Sequence, residues 1–239
     1  MSRTDRVLVS VMIGVYNCAA YLGEAIDSVL RQSHQPIELI VVDDGSTDGS
    51  GAIAKAYGPR VRCIRQERGG MAAARNRAVE DASGKFFAFL DADDRFPADK
   101  IERQLGVFEQ DPELDVVYGH VTEFLSPDLE KDAAALLRAP YHDAPWPTPN
   151  LMLVRRDAFF RVGLFSTALR VGIGVDWHAR ANELGLKSAV PPIVVLERRL
   201  HAENNGIRER QFKPQYLHVL KASLDRRRTS EHPIRSCGS

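Results

Sequence analysis

The sequence predicts an α/β domain built on a mostly parallel central sheet flanked by helices. Three observations carry this. Short β-rich runs alternate with helical patterns from the start to about residue 119, the signature of strands joined by helical crossovers. The apolar runs are continuous, as in strands buried on both faces. Polar residues follow three of these runs, two of them acid-rich, and in such sheets ligands gather outside the carboxyl ends of strands.

The first strand is expected at 7–15 and ends at Tyr16 and Asn17. A helix over 19–32 places Tyr21, Leu22, Ala25, Ile26, Val29 and Leu30 on one stripe. The second strand, 37–42, runs into VVDDGSTDGS, where Asp48 is expected to cap the next helix. A third strand at 60–64, an Ala-rich helix at 70–82, a fourth strand at 85–90, a helix at 98–110 repeating Ile101, Leu105 and Phe108, and a strand at 115–119 complete the alternation. The interval 125–150, rich in Pro, Asp and Ala, reads as a long connection of the kind that often carries function. Residues 151–163 read as a strand entering a helix. After them come a loop at 171–177, a helix to about Leu184 and an extended segment near 189–199.

The 239 residues suit one large domain, read as 1–205, followed by a basic, helical and partly flexible tail at 206–239. Lys+Arg and Asp+Glu balance at 32 each, so no broad basic field supports nucleic-acid binding. Cys18, Cys63 and Cys237 are odd in number and form no CxxC, which argues against a disulfide framework or zinc site and for a reducing cytoplasm. Arg3 and Arg6 before VLVSVMIGV resemble a signal peptide, but Tyr16 and Asn17 follow at once and a core strand is the better reading. No stretch approaches the roughly 20 apolar residues of a membrane helix. The basic tail could touch an anionic membrane surface or form a solvated helix.

The most informative stretch is FFAFLDADD at 86–94, an apolar run that stops at three carboxylates, Asp91, Asp93 and Asp94. Like charges at the end of a buried strand repel one another unless a cation joins them. Hard oxygen ligands favour Mg²⁺ or Mn²⁺, ions that commonly hold a diphosphate. Alternate residues on a strand share a face, so Asp91 and Asp93 are expected to point at one ligand and Asp94 away. The alternative is a solvated turn with Asp94 capping the next helix. Asp43 and Asp44 could accept hydrogen bonds from a base and a ribose, or could serve turn chemistry alone.

VSVMIGVYN at 9–17, VVDDGSTDGS at 41–50, GGMAAARNRAVEDASGKFFAFLDADDRFPADK at 69–100, LVRRDAFFRVGLF at 153–165, the Asp176–Trp177 pair and RRLHAENN at 198–205 together resemble the family 2 glycosyltransferases. The resemblance spans roughly residues 7 to 205 and implies the GT-A fold, a Rossmann-like, mostly parallel sheet flanked by helices. It implies that Gly14, Val15, Tyr16 and Asp44, with Asp43, hold the nucleobase and ribose of a nucleotide-sugar donor. Asp91, Ala92 and Asp93 become the DxD element, with Asp93 the closer match to the metal contact. His201 takes the place of a late histidine near the metal and pyrophosphate. Around the helix after Gly70, Arg75 and Arg77 could reach the phosphates, or could be surface residues. Asp176 matches the carboxylate base of the inverting members, although Val175 stands where the family often has Glu. Trp177 and Trp146 are candidate acceptor walls, or core and loop anchors.

These implications define an expected metal-dependent (Mn²⁺ or Mg²⁺), inverting transfer of a sugar, UDP-linked, to an acceptor hydroxyl. The acceptor stays open among a saccharide, a lipid-linked glycan, a small molecule and a peptide. Single addition is expected, since the chain lacks the membrane helices of processive synthases. The alternative is a degenerate nucleotide-sugar-binding protein without turnover. A nicotinamide oxidoreductase would need GxGxxG after the first strand, and Gly14 stands there without companions. A nucleotidyltransferase would show a Gly-rich, Lys-bearing loop in place of Val15-Tyr16-Asn17. A haloacid-dehalogenase-like phosphatase would carry its DxD on the first strand.

Overall fold

The computed structural model describes residues 7–127, 148–204 and 215–231. Strands β1 (Val9–Val15), β2 (Ile37–Asp43), β3 (Arg62–Arg65) and β4 (Phe86–Asp91) alternate with helices α1 (Ala19–Leu30), α2 (Ser50–Ala56), α3 (Met71–Glu80) and α4 (Lys100–Gln110); all but α2, whose bounds the sequence leaves open, fall within one or two residues of the predicted ends. β1 pairs in parallel with β2 and with β4, and β2 in parallel with β3. The register sets Val15 opposite Asp43 and Gly14 opposite Asp91, so one sheet edge collects the three polar strand ends. The central strands are mostly apolar and enclosed, β1 along its whole length and β4 as far as Leu90, whereas β3, with Arg62 and Arg65, is exposed at both ends.

Beyond α4 the chain departs from simple alternation. β5 (Val116–Val117) is shorter than the predicted 115–119 and does not pair with β4. β6 (His120–Leu125) follows it, and β7 (Leu153–Arg155) inserts antiparallel between β4 and β5 before running into α5 (Arg156–Val162). After α6 (Ile173–Glu183), the extended region near 189–199 divides into β8 (Ser188–Ala189), parallel to β5, and β9 (Val194–Leu200), parallel to β6 in a two-stranded sheet. The main sheet runs β3-β2-β1-β4-β7-β5-β8. Arg95 and Glu197 exchange backbone hydrogen bonds of 3.0 and 2.9 Å, which bring the middle of β9 against the segment after β4.

The expected loop at 171–177 is largely helix. Gly172, with φ of 78°, turns the chain so that α6 starts at Ile173, and Asp176 and Trp177 lie in its first turns. Trp177 is 1% exposed, stacks on Phe159 at 5.3 Å and donates its Nε1–H to the Gly163 carbonyl, so it is a core residue and no acceptor wall. Trp146 lies outside the described residues. The expected basic tail is helical where described, as α7 (Gln215–Glu231). It docks on α6: Val219 is buried, and Ser223 and Arg226 bind Glu183 at 2.6 Å each. The rest of the tail, with its expected flexibility, lies outside the described residues.

Candidate active site

β4 ends at Asp91, where the strand pleat stops and the chain turns, with Asp94 N–H donating to the Asp91 carbonyl at 3.2 Å. The turn brings oxygens of Asp91, Asp93 and Asp94 within 4.8 Å of one another. Asp94 therefore does not face away, because alternation along a strand no longer governs it. It does not cap the next helix either: its Oδ1 accepts from the Arg199 backbone N–H at 2.9 Å. Burial, then the charges of Asp93 and Asp91, holds its carboxyl well above the usual carboxylate range. Cys18, which ends the first-strand turn, feels the same negative field: burial, then Asp93, Asp48, Asp91 and Asp94, pushes its thiol up to about 12.

His201 follows directly on β9, and its Nε2 stands 3.0 Å from Asp93 Oδ2. Asn204 holds the turn, accepting from His201 N–H at 2.7 Å and donating to the Arg199 carbonyl at 3.0 Å. His201 Nδ1 is buried without a hydrogen-bond partner among the described residues. This donor set fits a divalent ion of the Mg²⁺ or Mn²⁺ kind: it offers hard carboxylate oxygens and one imidazole. His201 Nε2 and Asp93 Oδ2 stand 3.0 Å apart, close enough that both could reach one ion. Asp93, with a side chain 23% exposed, and Asp91, 31% exposed, can reach a ligand.

At the other end of the edge, the two acids after β2 are engaged internally. Asp43 is fully buried, accepting from Ser46 N–H and Arg65 Nη1 at 2.8 Å each, and it has no surface to offer a nucleotide. Gly51 leaves room for it, since a Cβ there would lie 2.4 Å from Asp43 Oδ2. Asp44 is 3% exposed and accepts from Gln66 Nε2 and from the N–H groups of Gly69 and Gly70. It thereby fixes the turn into α3, where Gly70 has a φ of 88°. Asp48 binds the N–H of Ser50 at the start of α2, as expected, and also that of Ala19 at the start of α1. Asn17 Oδ1 accepts from Thr47 N–H, latching the first-strand turn to the second. Gly14 lies beneath α3: a Cβ would lie 3.1 Å from Met71 Sδ. Val15 and Ala92 are buried, leaving Tyr16 as the exposed member of the expected nucleoside group, with the Arg68 guanidinium 3.5 Å from its ring centre.

Arg75 and Arg77 part company. Arg77 is half exposed and pairs with Glu80 and Asp81, the surface alternative. Arg75 is buried and turns inward to Asp91 at 2.6 Å and to Asn150 at 2.9 Å. Both face a cleft lined by Arg75, Asp91, Asn150, residues 172–175 of the α6 start, and Tyr216 of α7. Asp176 lies directly behind this rim, 7% exposed, with Arg180 Nε 3.0 Å from Oδ2 and Arg226 Nη1 3.9 Å from Oδ1. Asn150 and Tyr216 are not singled out by sequence, because each reaches the cleft from a segment with no motif and a remote partner.

The chain belongs to the glycosyl transferase family 2: the family model matches residues 10–167. It is 33% identical over 180 residues to an uncharacterized glycosyltransferase of Rickettsia typhi, covering 68% of this chain and 55% of the relative. It is 30% identical over 241 residues to the chondroitin synthase of Pasteurella multocida, covering 94% of this chain and 24% of that protein. The chain thus spans about half or less of the length of these relatives. Among solved structures it resembles TarS of S. aureus in complex with UDP-GlcNAc, with a TM-score of 0.74 and 19% identity over 90% of this chain and 65% of that one. It also resembles a mannosyltransferase of Pyrobaculum calidifontis in complex with GDP-Man and Mn²⁺, with a TM-score of 0.71 and 24% identity over 93% and 65%. The fold is GT-A.

Proposed function

We propose that this chain is a metal-dependent, inverting glycosyltransferase that moves one sugar from a UDP-linked donor to an acceptor hydroxyl. The observation that carries the reading is the set of acids at the end of β4, with His201 3.0 Å from Asp93, in a family 2 chain. The complexes of similarly folded proteins with UDP-GlcNAc, and with GDP-Man and Mn²⁺, support a nucleotide-sugar donor and a divalent ion. Among the described residues no helix is long and apolar enough to cross a membrane. The reading places the chain in a reducing cytoplasm, in keeping with unpaired Cys18 and Cys63. The acceptor class stays open among saccharides, lipid-linked glycans, small molecules and peptides.

In this mechanism Asp93 and His201 would hold the ion, which when bound would supply Lewis-acid stabilisation of the departing diphosphate worth several kcal/mol. Tyr16 offers an exposed ring to the nucleobase, while Asp44, through Gly69 and Gly70, shapes the loop beside it. Asp176 takes the proton of the acceptor hydroxyl as its oxygen attacks the anomeric carbon opposite the bond to the diphosphate. One substitution puts the reaction on the chain's own chemistry. Asp93→Ala should weaken UDP–Mn²⁺ binding at least about tenfold, since a lost charge-assisted ligand is worth about 1.5–3 kcal/mol.

The test of the whole reading is a thermal-stability screen of UDP-, GDP- and dTDP-sugars with and without Mn²⁺, because a ligand that binds only the folded state raises its melting temperature. A UDP-sugar should raise it only with Mn²⁺, and Asp93→Ala should erase the rise. No shift with any nucleotide sugar would sink the proposal. Release of one sugar per acceptor, with inverted anomeric configuration, is the expected product analysis.

A further inference from the structure

Asp91 is held in a closed triangle that no residue motif announces. Its Oδ1 accepts from Arg75 Nη2 at 2.6 Å and its Oδ2 from Asn150 Nδ2 at 2.5 Å, while Asn150 Oδ1 accepts from the same Arg75 Nη2 at 2.9 Å. Arg75 and Asn150 are buried, at 4% and 7% exposure. Asp91 keeps a side chain 31% exposed, and it faces the cleft shared with residues 172–175 and Tyr216, whose lining includes neither Asp93 nor His201. We infer that Asn150 is a positioning residue which, with Arg75, aims Asp91 at the sugar of the donor and leaves the metal to Asp93 and His201. This rests on the glycosyltransferase reading and deepens it.

A carboxylate with one oxygen on a buried guanidinium and the other on an amide is largely neutralised, so its pull on a cation is reduced. Each oxygen keeps a free lone pair, and a carboxylate can only accept, so what it recognises in the cleft is a donor such as a sugar hydroxyl. Asp93 is the opposite case: among the described residues its side chain meets the imidazole of His201 at 3.0 Å and Asn204 Nδ2 at 3.5 Å. Asn150 is firmly placed, because it sits in a buried one-turn helix, Pro149–Leu151, whose Leu151 carbonyl accepts from Gln104 Nε2 at 2.9 Å. Arg75 Nη2 reaches Asp91 Oδ1 and Asn150 Oδ1, and Asn150 supplies the contact to Asp91 Oδ2 that Arg75 does not make.

The test compares two ligands on Asn150→Ala: UDP–Mn²⁺, and the nucleotide sugar that gives wild type its largest Mn²⁺-dependent thermal shift. UDP–Mn²⁺ affinity should stay within about twofold. The sugar nucleotide should bind at least about tenfold more weakly, with kcat falling too, as expected for a lost hydrogen bond to a charged group. Equal losses for both ligands would mean general loosening and overturn the assignment; so would no loss for either. Should Asn150→Ala melt below the assay temperature, Asn150→Ser, smaller but still polar, carries the same comparison. A wild-type chain that binds no nucleotide at all overturns the transferase reading itself, a result distinct from equal losses in the variant.

Discussion

Asp176→Asn should lower turnover about 10²- to 10⁴-fold, the range a well-placed general base contributes, while UDP–Mn²⁺ affinity stays within about twofold. The side chain's ion-pair partners among the described residues are Arg180 and Arg226, and neither Asp93 nor His201 is among them, so the change should leave the donor's metal end intact. Asparagine matches aspartate in shape and keeps an oxygen for Arg180, which donates through Nε at 3.0 Å, so the fold should survive. What it loses is the charge that accepts a proton. The two guanidiniums beside Asp176 hold the carboxylate in place and also compete with the acceptor for it. Arg226 belongs to α7, so the C-terminal helix touches the candidate base as well as the cleft, through Tyr216. Single-turnover transfer and nucleotide binding measured on one preparation decide the matter. Near wild-type turnover would remove Asp176 from the base role and send the search to other groups on the rim.

The parts of this architecture that a linear reading reaches are those written in local patterns. Continuous apolar runs gave strands buried on both faces, and the acids after them marked the edge where ligands gather. Asp94 escaped because a period of two was extended past the last strand residue, where a turn takes over. The segment 171–177, expected as loop, is largely helix because Gly172 supplies the left-handed turn that opens α6 and Trp177 packs its face on Phe159. Asp43 looked available because acids at a strand end are usually solvated, yet Ser46 and Arg65 satisfy it inside. Asn150 carries no local signal at all. Its partner Asp91 is 59 residues earlier, and only the antiparallel insertion of β7 beside β4 brings the segment that precedes it to the cleft.

Lys100→Met should stabilise the protein by about 3–5 kcal/mol below pH 7, an effect that fades as the pH approaches 10.5. Lys100 opens α4, is completely buried, and has a 3.5 Å approach to the Met152 carbonyl and a place 4.0 Å from the centre of the Phe96 ring. No acidic side chain pairs with it among the described residues, and burial pushes its pKa down from 10.5 to about 7. The unfolded chain therefore holds a proton between pH 7 and 10.5 that the folded chain has released. Stability rises with pH across that window, and below it the folded state bears the whole cost of a buried ammonium. At 1.36 kcal/mol per pKa unit the full displacement is worth about 5 kcal/mol, trimmed in practice by the weak contacts that methionine cannot make. Methionine follows the same path through the core without the charge. Denaturant midpoints of both proteins from pH 6 to 10.5 should converge at the alkaline end, and parallel curves would show that Lys100 titrates normally. The same lysine lies 3.5 Å from the carbonyl of Met152, two residues from Asn150, so the stabilised variant should also bind the sugar nucleotide somewhat less tightly than UDP–Mn²⁺, relative to wild type. A gain in stability with an undiminished sugar preference would mean that the Pro149–Leu151 turn holds Asn150 without help from the buried ammonium.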